Sequence, residues 1–100
     1  MGNYYVARLT SIMKEQAKLC KDFLKNYKKF QKTSPANVDH CLNQAIKQYR
    51  SLCSTKEMVK VGERDVTEKD YEKFIKVLKE LQQNCLAAFA EAGVNTSSFR

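Results

Sequence analysis

One proline and three glycines in 100 residues leave this chain few places to break. A β-sandwich needs a turn every 8–12 residues and has nowhere to put them, so long helices are the natural outcome. The breakers that exist divide the chain into three parts. The first break is Thr33-Ser34-Pro35, where Ser34 can cap a helix and Pro35 suits its first position. The second runs from Val61 to Asp65 through Gly62. A start signal follows it. Thr67 reads as an N-cap, with Asp70 three residues on as an acidic variant of the capping box and Val66 placed to staple onto Tyr71. Gly93 fits the left-handed position after the last helix, with Val94 folding back on Phe89.

Between these marks the apolar residues recur at i, i+3, i+4 and i+7. The first segment carries Leu9, Ile12, Met13, Cys20, Phe23, Leu24, Tyr27 and Phe30, the second Val38, Cys41, Leu42, Ala45, Ile46, Tyr49, Leu52 and Cys53, the third Tyr71, Phe74, Ile75, Leu78, Leu81, Cys85, Leu86 and Phe89. Helices are predicted over about 4–32, 35–58 and 68–92, each roughly 35–43 Å long. Similar lengths and short connections predict an all-α, antiparallel up-down-up three-helix bundle, a single helical domain over residues 1–100. A β-hairpin around Met58–Val61 is the weaker alternative for the second connection. An apolar share of 43% supplies a core and argues against disorder.

The net charge of +7 is unevenly spread. Residues 1–33 hold eight basic side chains against Glu15 and Asp22, and the rest of the chain is nearly balanced. Lys14, Lys18, Lys21, Lys25, Lys28 and Lys32 advance in steps of four and three. At about 100° per residue they fall within an arc of roughly 80°, and the apolar residues of the same helix centre almost opposite. Such a row can track a phosphate backbone or lie on an acidic membrane. It can equally be the solvated face of a bundle helix. Six like charges one turn apart repel, and solvated faces usually intersperse acids, as the third helix does. Phe23, Tyr27 and Phe30 fall on the apolar face and not among the lysines, so core packing accounts for them better than base stacking.

Four cysteines, Cys20, Cys41, Cys53 and Cys85, all lie on apolar faces without a C-x-x-C pair. A zinc ribbon and a redox motif are therefore not expected. If the chain reverses near residues 33 and 63, Cys41 and Cys85 come to nearly the same height, and a Cys41–Cys85 disulfide is geometrically credible. Cys20–Cys53 would need a register shift. The competing account is four small buried thiols in a reduced protein.

Catalysis has little to work with. His40 is the one histidine, and its neighbour Cys41 points about 100° away on a helix. The acids Glu63, Asp65, Glu68, Asp70 and Glu72 sit in a loop and in the first turn of the third helix, where they complement the helix dipole. There is no Gly-rich phosphate loop. The chain is thus not expected to be an enzyme, and no cofactor, metal or small-molecule substrate is expected. Met1-Gly2-Asn3 begins like a myristoylation signal, but Val6 stands where the motif wants Ser or Thr. Asn95-Thr96-Ser97 is a sequon that gains meaning only in a secreted protein. Tyr4-Tyr5-Val6 can pack across the bundle end or anchor a partner.

The sequence therefore favours a non-catalytic helical module that binds another protein. Its first helix carries apolar residues over an arc wide enough for a groove or a homo-oligomer contact. The alternatives are a binder of nucleic acid or acidic membrane through the lysine row, and a small secreted ligand held by disulfides. No signal peptide or apolar span of about 18 residues is legible, which favours the cytoplasm or nucleus over secretion.

Overall fold

The computed structural model describes residues 3–99, and among them the fold is all-helical with no strand. Helix α1 spans Tyr4–Thr33, α2 Val38–Ser54 and α3 Glu68–Glu91. The three pack together around one core, with α1 against both of the others and α2 and α3 touching least. The molecule measures 49 × 22 × 16 Å, and its long dimension is set by α1, whose 30 residues run about 45 Å.

Each helix end has a specific cause. Asn3 caps α1, its Oδ1 accepting from the Val6 N–H at 3.1 Å. At α3 the capping box is complete. The Asp70 N–H donates to Thr67 Oγ1 at 3.1 Å, and the Thr67 N–H donates to Asp70 Oδ2 at 3.2 Å. The far end of α3 closes with Gly93 at φ 79°. The Val94 N–H donates to the Phe89 carbonyl and the Gly93 N–H to the Ala90 carbonyl, the paired bonds of a Schellman turn.

The second segment differs from the 35–58 helix that periodicity predicts. Only 17 residues are α-helical, about 26 Å, flanked by 3-10 turns at Pro35–Asn37 and Thr55–Met58. Ser34 supplies no side-chain cap. It ends α1 instead, its N–H donating to the Phe30 carbonyl at 2.9 Å. At the other end the Ser54 and Thr55 hydroxyls donate back to the Ser51 and Leu52 carbonyls at 2.9 and 2.6 Å. These i−3 bonds draw the last turn into the tighter form. The hairpin alternative at Met58–Val61 fails for the same reason: Met58 ends a helical turn and Val61 lies in a loop.

Buried Val59 and Val66 bracket that loop, and Gly62, Arg64 and Asp65 all take positive φ. The Gly62 N–H donates to the Val66 carbonyl at 2.9 Å, closing the loop on itself. It is tied to the start of α1 three times over. Asn3 Nδ2 donates to the Arg64 carbonyl at 2.7 Å, the Tyr5 hydroxyl donates to the Met58 carbonyl at 3.2 Å, and the Arg64 guanidinium lies 4.4 Å over the Tyr5 ring.

The core is a line of small and medium side chains on α1 (Val6, Leu9, Met13, Ala17, Cys20, Leu24) met by Ala45, Tyr49 and Leu52 of α2 and by Phe74, Leu78, Cys85 and Phe89 of α3. One end is aromatic. Tyr49 and Phe89 meet edge to face at 6.0 Å, and Phe99 from the tail closes on both at 5.9 and 4.9 Å.

The capping box is open to measurement. Thr67→Ala should lower the unfolding free energy by about 1 kcal/mol in urea titrations at neutral pH. The hydrogen bonds from the Thr67 backbone and side chain hold the Asp70 carboxyl below its ordinary range. Folding thus favours the carboxylate. Its contribution is present above the ordinary carboxylate pKa and is lost as pH falls through the lowered one. The stability gap between the parent and Asp70→Ala should therefore narrow in acid. A gap that widens there would contradict the cap.

Candidate functional site

The helix that spans the molecule also carries its charge. All six lysines of the row, Lys14 to Lys32, are exposed. They do not lie opposite the core. Measured from the buried line Val6–Leu9–Met13–Ala17–Cys20–Leu24, the row is centred about 100° round the helix. The difference arises because Ile12, Leu19, Phe23 and Phe30, which pull the average of the apolar residues away from the lysines, are half-buried or exposed and do not define the core line. The row therefore flanks the seam between α1 and α3. Lys21, Lys25 and Lys28 line a shallow cleft there with Leu24, Ala88 and Glu91, and Lys14 lines another with Asp70 and Lys73.

One of these lysines has an anionic partner. Lys28 Nζ lies 3.7 Å from Glu91 Oε1, both side chains well exposed, and this is the one ion pair within 4 Å among the described residues. Lys14, Lys18, Lys21, Lys25 and Lys32 present ammonium groups without a carboxylate at that distance. From Lys14 to Lys32 the row covers about 27 Å. Carried on one continuous helix, the lysine backbones keep helical spacing, and a partner need not order that backbone.

The apolar arc of α1 is more occupied than its width in sequence implies. Leu19, Phe23, Tyr27 and Phe30 are half-buried, and only Tyr4 and Ile12 of this helix stand among the exposed large apolar residues. Tyr4, Met58 and Val61 are exposed near the loop that Asn3 and Tyr5 hold.

The cysteines are redistributed relative to the sequence expectation. All four are free thiols. Cys85 is fully buried in one core cluster with Cys20. Cys41 is buried but lies outside the core cluster that contains the other two. The reason is the register of α2 against α3: with Tyr49 level with Phe89 and Cys53 with Gln82, Cys41 stands level with positions beyond the end of α3 at Glu91. Cys53 is half-buried and accepts from Gln82 Nε2 at 3.3 Å. In the core, hydrogen bonding to the Cys85 sulfur and then burial hold the Cys20 thiol protonated far above its ordinary range.

The remaining candidates scatter. His40 is exposed and Cys41 buried, so the adjacent pair does not converge. Asn95 is exposed, its Oδ1 accepting from the Ser97 N–H and hydroxyl at 3.0 and 2.8 Å. Met1 and Gly2, on which the acylation motif rests, lie outside the described residues. Among those described, no group of three or more His, Cys, Asp or Glu side chains converges as a metal site, and no helix is long and apolar enough to cross a membrane. Sequence reading missed a second basic spot, where Lys47 and Arg50 line an open groove on α2 with Ser51 and Ser54. No family model matches this chain, and neither the curated proteins nor the solved structures contain a significant match to it.

The Lys28–Glu91 contact should contribute little to folding because both groups are hydrated. A double-mutant cycle with Lys28→Ala and Glu91→Ala should give a coupling of about 0.5 kcal/mol or less, falling with added salt. A coupling above about 1 kcal/mol would mark the row as a folding element.

Proposed function

We propose that this chain is a non-catalytic helical interaction module, folded as an antiparallel up-down-up bundle, which docks an acidic protein surface along the lysine row of α1. The order of contacts supports that topology. Residue numbers rise together where α1 meets α3, from Cys20 with Cys85 to Lys28 with Glu91. They run oppositely where α2 meets α3, from Tyr49 with Phe89 to Cys53 with Gln82.

The binding reading rests on one observation: among the described residues, five of six exposed lysines on one continuous helix lack an ion-pair partner, although eleven acids are available in the chain. Such a row costs folding a few tenths of a kcal/mol per adjacent like pair, and an acidic partner removes that repulsion. Width favours a protein partner over a polyanion. The row is one helix wide, and Glu91 and Asp70 stand along its α3 side. A nucleic acid or acidic bilayer would press on that side too and meet carboxylates. Nucleic acid or membrane remains the second reading because the row is continuous and about 27 Å long.

Fluorescence anisotropy with an Asp/Glu-rich helical peptide, a DNA duplex and phosphatidylserine vesicles separates these. The peptide should bind at low salt, weaken as salt rises, and lose at least tenfold in affinity for Lys21→Glu/Lys25→Glu. The variant's circular dichroism and melting should stay those of the parent. Tighter binding of the duplex or vesicles would transfer the row to the second reading. If no anion binds at low salt, the row has no binding role.

A further inference from the structure

Three features stand apart from the lysine row: the exposed Tyr4–Met58–Val61 patch, the groove beside Lys47 and Arg50, and the buried thiols Cys20 and Cys85. Nothing in the structure says what would cover the first, and the second is an open strip of one helix. The thiols can be argued further.

Cys20 and Cys85 are each 0% exposed and belong to one core cluster. Their juxtaposition follows from the register of α1 against α3. Lys28 and Glu91 are in contact, and Leu24 and Ala88 share the cleft beside them. One turn further back along both helices lie Cys20 and Cys85. Both are inward-facing, and Ala17 and Ala88 close by are small enough to let the backbones approach. Two small sulfurs thus come to the same solvent-inaccessible layer from positions 65 apart in sequence.

We infer that Cys20 and Cys85 are a disulfide-forming pair, a covalent staple between α1 and α3 that closes during folding when a small-molecule disulfide such as oxidised glutathione is present. The thiolate of Cys85 attacks one sulfur of the oxidant, forming a mixed disulfide and releasing one small thiol. Cys20 then loses its proton to solvent and displaces the second small thiol from Cys85. Two protons and two electrons leave the protein, and the oxidant ends as two thiols. Total burial sets the timing. Exchange needs an open chain, because neither sulfur is reachable in the native core. The pairing is independent of the proposed partner and replaces Cys41–Cys85.

The test is to refold the reduced chain in a buffer of reduced and oxidised glutathione, quench with an alkylating agent and map tryptic peptides. Cleavage after lysine and arginine leaves each cysteine in its own peptide. The expected product has lost the mass of two hydrogens, links the Cys20 and Cys85 peptides, and leaves Cys41 and Cys53 alkylated. Its Tm should exceed that of the reduced protein by at least about 10 °C, since the bridge closes a long loop. The native product should resist glutathione and reduce only once denaturant is added. Cys41→Ala/Cys53→Ala should give the same link. Four alkylated thiols, a link through Cys41 or Cys53, or a Tm lowered by oxidation would each overturn the inference.

Discussion

Everything in this fold depends on the burial of one narrow line along α1. Val6, Leu9, Met13, Ala17, Cys20 and Leu24 are spaced three and four apart and are nearly or fully excluded from solvent. A 30-residue helix with a net charge of +6 gains little from its own hydrogen bonds once repulsion along the lysine row is counted. It is stable because two other helices cover that line. At about 25 cal/mol per Å² of apolar surface, covering side chains of this size contributes on the order of 1–3 kcal/mol each. Neither α2 nor α3 contacts the other as extensively as each contacts α1, so α1 is the common wall of the core.

The same line fixes what the rest of α1 can do. Its buried direction leaves one flank half-covered and apolar, and the other charged and bordering α3. The lysines stand on an exposed face where water solvates their ammonium groups, and Lys28 reaches Glu91 across its edge. The two small sulfurs can meet because Cys20 lies on the buried line itself and Cys85 belongs to the same core cluster. A solvent-facing property and a core property thus come from one helix, separated by about 100° of rotation.

The ends of the bundle are held by polar bonds rather than by area. Asn3 caps α1 through Oδ1 while its Nδ2 holds the Arg64 carbonyl. One side chain therefore secures both a helix terminus and a loop whose Arg64 and Asp65 stand in the left-handed region, where side chains cost roughly 1 kcal/mol or more. Such a loop persists only when its surroundings fix it, and the Arg64 guanidinium over Tyr5 is part of that support. At the opposite end Phe99 reaches back to Tyr49 and Phe89, adding a tail residue to the core.

By itself the sequence determined the helical class, the capping box at Thr67, the glycine stop at Gly93 and the exposure of the lysine row. Each is local: a period of 3.6 residues, a side chain reaching three positions, a backbone angle open to glycine. The opposed directions of His40 and Cys41 are local in the same way, since neighbours on a helix point about 100° apart. Only the tertiary structure decided the register of α3 along α1 and α2, and with it the placing of Cys85 in one core cluster with Cys20 and not with Cys41. It alone placed the lysines beside α3 rather than opposite the core, and brought Asn3, Arg64 and Phe99 to their partners. These depend on helix register and on contacts between residues distant in the chain, such as Asn3 with Arg64 and Tyr49 with Phe99. Periodicity carries no information about how far one helix slides along another, because every turn of an amphipathic helix presents a similar face.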